Sequence, residues 1–170
     1  MSPAVLSKPS NALIGIAGVH YVVSELSLRG LIAVPTIRNT AGIDIIVNNA
    51  NGNGLAALQF KTAYGLKRQE EGRQWWPMSN PAKCLKSPNA FYVFVRYRPD
   101  LHQFEAFLDT AADVVRQVDE NLLDDQKAGR KDFPCWGLPG DPAEQERLAS
   151  NWQTWKPDEL TAGDMEAIRQ

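Results

Sequence analysis

Asp44, Gln59 and Lys61 are the residues of this chain whose types and spacing could do chemistry. Asp44 lies in the run Gly42-Ile43-Asp44-Ile45-Ile46-Val47, and Gln59 and Lys61 close the run Leu55-Ala56-Ala57-Leu58-Gln59-Phe60-Lys61. The segment between them is Asn48-Asn49-Ala50-Asn51-Gly52-Asn53-Gly54. Asn51-Gly52 has the composition of a two-residue type I′ turn, whose central residues both need positive φ, and such a turn sets Ala50 opposite Asn53. In that register Ile43 faces Phe60, Ile45 faces Leu58 and Val47 faces Ala56, so apolar meets apolar. The opposite face pairs Asp44 with Gln59, and Lys61 follows Gln59 on the same side. Any even connection preserves this parity. An acid, an amide and an ammonium therefore share one face of a hairpin, a grouping suited to acid–base and charge-stabilising chemistry. The solvated face of a half-exposed antiparallel sheet shows the same alternation, so the surroundings decide between the two readings.

The elements that must position this hairpin are legible from pattern. Ser10 or Asn11 can cap a helix that runs to about Arg29 and ends at Gly30, with Leu13, Ile14, Ala17, Tyr21, Val22, Leu26 and Leu28 as its apolar stripe. Glu25 follows Tyr21 and Val22 by one helical turn, which puts a carboxylate at the margin of the buried face, where it needs a partner or a polar cavity. Leu31 to Ile37 reads as a first strand, with Pro35 marking an edge or a bend. Thr62 to Asn89 is irregular and rich in Gly, Pro and charge, with Trp75-Trp76-Pro77 in its middle, the pattern of a long loop or short helices. Ala90 to Arg96 is a buried strand and Gln103 to Leu108 its partner. Asp109 or Thr110 then caps a helix with Ala112, Val114, Val115, Val118 and Leu122 as its apolar positions. Beyond Gly129 the composition turns to Pro, Gly, Trp and acid, with Phe133, Trp136, Leu138, Leu148, Trp152 and Trp155 expected to anchor that segment on the body.

Composition narrows the function classes. A chain of 170 residues, 44% hydrophobic and 22% charged, has the balance of a globular domain with a substantial core. The expected division is a domain over 1–128 and an acidic, Pro/Trp-rich extension over 129–170 packed on it. No run reads as a membrane span, and the start lacks a leader's apolar region, so a cytoplasmic protein without membrane attachment is expected. Cys84 and Cys135 are far apart, without a CxxC or a nearby His, which supports neither zinc nor a disulfide framework. The net charge of −2 hides an asymmetry: residues 1–99 carry 11 Lys and Arg against 4 Asp and Glu, residues 100–170 carry 7 against 16. A basic half suits a phosphate-bearing partner.

Gly18-x-x-Tyr21-Val22-x-x-Glu25-Leu26-x-x-Arg29-Gly30, followed by Gly42-Ile43-Asp44 and Gln59-Phe60-Lys61-Thr62, resembles the PD-(D/E)XK nuclease superfamily. The likeness is to the restriction-like and resolvase-like branch in which Gln replaces the acid of the (D/E)XK motif, and it covers about residues 12–108. It implies an α/β, restriction endonuclease-like fold, with a mixed sheet of four to five strands flanked by helices. It also implies a metal-dependent endonuclease that hydrolyses DNA phosphodiester bonds with Mg²⁺ or Mn²⁺. The resemblance assigns Asp44 as the central metal ligand, joined by the Gln59 amide oxygen, the Phe60 backbone carbonyl and Glu25 from the helix. Lys61 orients the attacking water or stabilises charge on phosphate. Thr62, Lys67, Arg68, Arg73, Trp75 and Trp76 are the accompanying nucleic-acid contacts, although adjacent Trp residues in a loop also serve as core plugs. Cutting both strands of a duplex commonly calls for two sites related by a two-fold, which a homodimer would supply, although the sequence leaves the oligomeric state open. Two other readings stand beside this one: a nuclease-fold module that binds nucleic acid without cutting, and a protein-interaction component.

Overall fold

A computed structural model describes residues 8–37, 42–52, 54–65, 74–78, 85, 87–131 and 133–157. The chain begins with α1 (Asn11–Leu28), where the Ser10 hydroxyl accepts a hydrogen bond from the Leu13 N–H, and it stops at Gly30, whose φ of +78° suits a residue without Cβ. Then follow β1 (Ile32–Pro35), β2 (Ile45–Asn48), β3 (Ala56–Tyr64), β4 (Trp75–Pro77), β5 (Ala90–Arg98), β6 (Gln103–Thr110), α2 (Ala111–Lys127), β7 (Cys135–Gly137) and α3 (Pro142–Thr154). The protein is α/β: a mixed five-stranded sheet in the order β1-β2-β3-β5-β6, flanked by helices, beside a two-stranded ribbon of β4 and β7. β1, β2 and β3 form an antiparallel meander, β3 and β5 run parallel, and β6 returns antiparallel to β5. β1 is the edge strand that Pro35 foreshadows.

Strand alternation divides the core into two layers. On the α1 side, Ile45, Val47, Leu58, Val93, Val95 and Leu108 pack with Val22 and Leu26 of the helix and Trp152 of α3. On the other side, Ala63, Tyr92, Phe94 and Phe107 pack with Val114 and Val118 of α2 and with Trp76 and Trp136 of the ribbon. Phe94 stacks on Trp136 with ring centroids 3.7 Å apart. α1 can lie close to the sheet because Gly18 faces Thr62: a Cβ on residue 18 would overlap Thr62 Oγ1 and stand 3.0 Å from Thr62 Cβ. Residues 133–157 are woven into the body, since β7 pairs with β4 and α3 packs on β6.

Three expectations need correction. Turn chemistry differs: Gly52 donates to the Asn49 carbonyl and alone among the described turn residues has positive φ, while Asn48 Oδ1 accepts from the Gly54 N–H. The connection is therefore longer than a two-residue type I′ turn, held by side-chain amides that imitate backbone partners. Its parity is even, so Ile45↔Leu58 and Val47↔Ala56 pair as expected. Second, the irregular stretch after β3 contains a strand, whose partner lies far along the chain. Third, α1 is long and apolar enough by length and composition to cross a membrane, with a mean hydropathy of 1.3. It carries few charges on its outward face, and it lays Ile14, Gly18, Val22 and Leu26 inward.

Candidate functional site

Asp44 stands where β2 leaves the ladder. The regular pairing ends at Ile45↔Leu58, and the Asp44 N–H donates to the Leu58 carbonyl, so Asp44 and Gln59 are not ladder partners. Instead the Asp44 carboxylate takes over as acceptor for β3: the Phe60 N–H donates to Asp44 Oδ2 at 3.0 Å. The carboxylate is half-buried, and burial raises its pKa above the ordinary value, opposed by the Phe60 N–H and the positive charge of Lys61. Gln59 and Lys61 alternate with Leu58 and Phe60, which belong to the layer under α1, so they project to the opposite face, the side of Ala63. All three side chains are partly exposed. Gln59 and Lys61 therefore share one face of β3, and Asp44, at the β3 edge, lies close enough to Lys61 to feel its charge. Phe60 directs its N–H toward Asp44, and in an extended strand the carbonyl of the same residue points to the same edge.

Glu25 is the member the structure does not bring to this face. It lies on α1, over the layer from which Gln59 and Lys61 point away, and its carboxylate pairs with Arg29 at 3.3 Å. It faces a cavity lined by Tyr21, Phe104, Glu105 and Trp152, at β6, which β3 and β5 separate from β2. The helix order and the one-turn spacing were sound; the rotation of the helix on the sheet turned the acid the other way. Among the described residues no three of His, Cys, Asp and Glu converge as a metal cluster.

The expected nucleic-acid contacts divide sharply. Trp76 is 1% exposed, and its Nε1 donates to the Val95 carbonyl at 3.2 Å, so it plugs the core and offers no face to a base. Trp75 is half-buried and covers Gly137, where a Cβ would come within 2.6 Å of Trp75 Cε3. Thr62 turns its hydroxyl under α1, buried and without a hydrogen-bond partner, which removes it from any phosphate. Lys67, Arg68 and Arg73 lie outside the described residues, as does Cys84.

Two polar groupings escaped the sequence reading. Arg96, only 8% exposed, pairs across β5 and β6 with Glu105 at 2.5 Å, and Glu105 also meets Arg98 at 3.5 Å. Arg96 sits in an apolar run, and only the strand register reveals its partner. Asp109, at the end of β6, has its pKa pushed up to about 6 by burial and then by the charge of Asp113. The Trp136 indole lies near it, although its N–H completes no hydrogen bond. No protein-family model and no curated protein sequence matches this chain.

Proposed function

We propose that the Asp44–Gln59–Lys61 face is the working surface of a restriction endonuclease-like fold and that the protein hydrolyses DNA phosphodiester bonds with a divalent metal ion. The observation that carries this reading is the half-buried Asp44 carboxylate beside Lys61, at the point where β2 releases β3. Its burial is only partly offset by one N–H and one ammonium, so a cation there would supply the missing compensation. Mg²⁺ is commonly held by one or two carboxylates together with substrate phosphates, and one carboxylate with neutral oxygens fits that pattern. Asp44 would hold the ion, with the Gln59 amide oxygen and the Phe60 carbonyl as neutral ligands. When bound, the ion would polarise the phosphoryl group and lower the pKa of a bound water. Lys61 would hold its ammonium toward the phosphate and balance charge that develops there. Asp44 also orders the backbone of Phe60, which keeps Gln59 and Lys61 in register.

A second reading has its own observation. With Glu25 turned to the opposite layer and Gln59 neutral, the face holds one formal negative charge, which suits a module that binds phosphodiesters without cutting them. Incubation of supercoiled and branched DNA with Mg²⁺ or Mn²⁺ separates the two. Nicking that disappears in Asp44→Asn is the expected result. Retention of DNA without cleavage, unchanged by metal, would replace the first reading with the second.

A further inference from the structure

Apolar surface is concentrated at one border of the fold. Of the eleven large hydrophobic side chains exposed among the described residues, seven lie between Leu13 and Ile46, so the border at β1 differs from the rest of the surface. No exposed residue of α1, β1 or β2 carries a charge, and the one acid of α1, Glu25, is paired with Arg29. Tyr21 stacks on Phe104, which turns that flank of α1 toward β6; Ile16, Val19 and Val23, spaced by one and two helical turns, form the opposite flank, toward β1. Ile32 and Val34 of β1 and Ile46 of β2 alternate with Ala33 and Val47 of the layer under α1, so they face the other side of the sheet. Val34 and Ile46 are register partners, and the three are 50%, 54% and 41% exposed in chain order.

Between these two apolar surfaces runs the outer edge of β1. The Thr36 N–H donates to the Asp44 carbonyl, so by alternation Ile32 and Val34 turn their backbone groups toward β2, and Leu31, Ala33 and Pro35 turn theirs outward. The Leu31 N–H is bound to the Leu26 carbonyl and Pro35 has no N–H, which leaves Ala33 as the one of the three that offers both a donor and an acceptor at the edge. A two-fold axis normal to the sheet at Ala33 lets two copies exchange N–H···O bonds there, and it sets Ile32 of each copy opposite Val34 of the other. The same axis turns the Ile16–Val23 flanks of both helices toward each other above the joined sheet. Other partners fit less well: a phosphate-bearing chain or an anionic lipid surface needs exposed Lys or Arg, which this border lacks. A charged protein surface would bury its charges unpaired. The border carries nothing that repels its own copy, and the limits at Leu31 and Pro35 close the pairing at a dimer. α1 is about 27 Å long, and one helix on one sheet is about 20 Å deep, so each copy contributes roughly 500 Å², near the ~600 Å² per partner at the lower end of specific interfaces.

We infer that the β1 border is a self-association surface, on which a second copy of this chain docks through antiparallel β1 strands centred on Ala33, with Ile32 of one copy packed against Val34 of the other. The modest area sets the dissociation constant in the micromolar range. The surface is separate from the Asp44 carboxylate and does not depend on the nuclease reading.

The test is analytical ultracentrifugation of the full-length protein at about 1–50 μM, where the mass should rise with concentration from the 18.9 kDa of one chain toward twice that value. Ile32→Lys and Val34→Glu, both at exposed positions that the monomer does not need, should each weaken self-association by about tenfold or more, because each sets a charge against an aliphatic side chain twice across the axis. Mixed in equal amounts the two variants should recover the dimer, since opposite charges then meet at one of the two positions and Val34 meets Ile32 at the other. Leu123→Lys, at a position 53% exposed on α2, should leave the native mass unchanged. Far-UV circular dichroism like that of the native protein shows that each variant is folded. A native protein that stays monomeric at 50 μM, a dimer indifferent to both β1 variants, or variants that remain monomeric when mixed would each overturn the inference. Flotation of a monomeric native protein with phosphatidylcholine vesicles would overturn it in favour of a lipid partner.

Discussion

Asp44 offers the sharpest experiment, because its carboxylate has two jobs that different substitutions separate. One is structural: Oδ2 accepts the Phe60 N–H at 3.0 Å where the backbone ladder has ended. In Asp44→Ala that N–H loses its acceptor, a loss of about 1–3 kcal/mol for a buried group. Both residues are partly exposed, so water repays some of it and the lower half of that range is expected. Asp44→Asn keeps a side-chain oxygen for Phe60 and removes a charge whose burial is unfavourable, at the expense of its attraction to Lys61. These two effects oppose each other, so its stability should lie within about 0.5 kcal/mol of the native protein. The other job is chemical, and for it Asn is no substitute, because the negative charge is what holds a metal ion. Cleavage by Asp44→Asn should fall by about 10²–10³-fold, the scale on which loss of one electrostatic contributor to a transition state is felt. Denaturant unfolding with linear extrapolation measures the first quantity, and plasmid nicking in Mg²⁺ or Mn²⁺ the second. An Asp44→Asn protein that cuts like the native one refutes the metal-ligand role. Equal destabilisation by Asn and Ala refutes the link to Phe60.

Other outcomes follow from the same geometry. Lys61→Ala should reduce cleavage by about tenfold or more while leaving the fold intact, measured by nicking and by unfolding midpoint; undiminished cutting would remove Lys61 from the site. Gly18→Ala forces a methyl group against Thr62 and should lower stability by about 1–3 kcal/mol, with much of the loss recovered in Gly18→Ala/Thr62→Ala if that contact is the cause. Asp109 has a folded pKa of about 6, above its unfolded value of about 4, so folding favours its protonated form and stability declines as pH rises between the two. Asp109→Asn should flatten that decline and stabilise the protein at pH 7 by about 1–2 kcal/mol, a figure reduced for partial exposure; urea unfolding at pH 4 and pH 7 measures it.

The sequence alone determined what is local and periodic. Ser10 and Thr110 supply capping oxygens where α1 and α2 begin, and the apolar run from Ala90 makes β5, because caps and alternation depend on residues close in the chain. The pairing of β2 with β3 was legible for the same reason: an even connection preserves side-chain parity even though the turn itself is built differently. Parity likewise placed Gln59 and Lys61 on one face, whereas Asp44 reaches β3 from beyond the end of the ladder. Tertiary structure decided which face that is. Gln59 and Lys61 point away from α1 because Leu58 and Phe60 are needed beneath it, and so Glu25, correct in order and helical spacing, lies on the wrong side of the sheet to join them. Trp76 shows the same limit: its burial depends on a ribbon partner, Trp136, brought from the far end of the chain. The cavity that Glu25 does enter takes its walls from α1, β6 and α3, segments that only packing brings together. Periodicity says which residues share a side, but which sides meet is settled by burying the largest apolar area at once, a property of the whole chain.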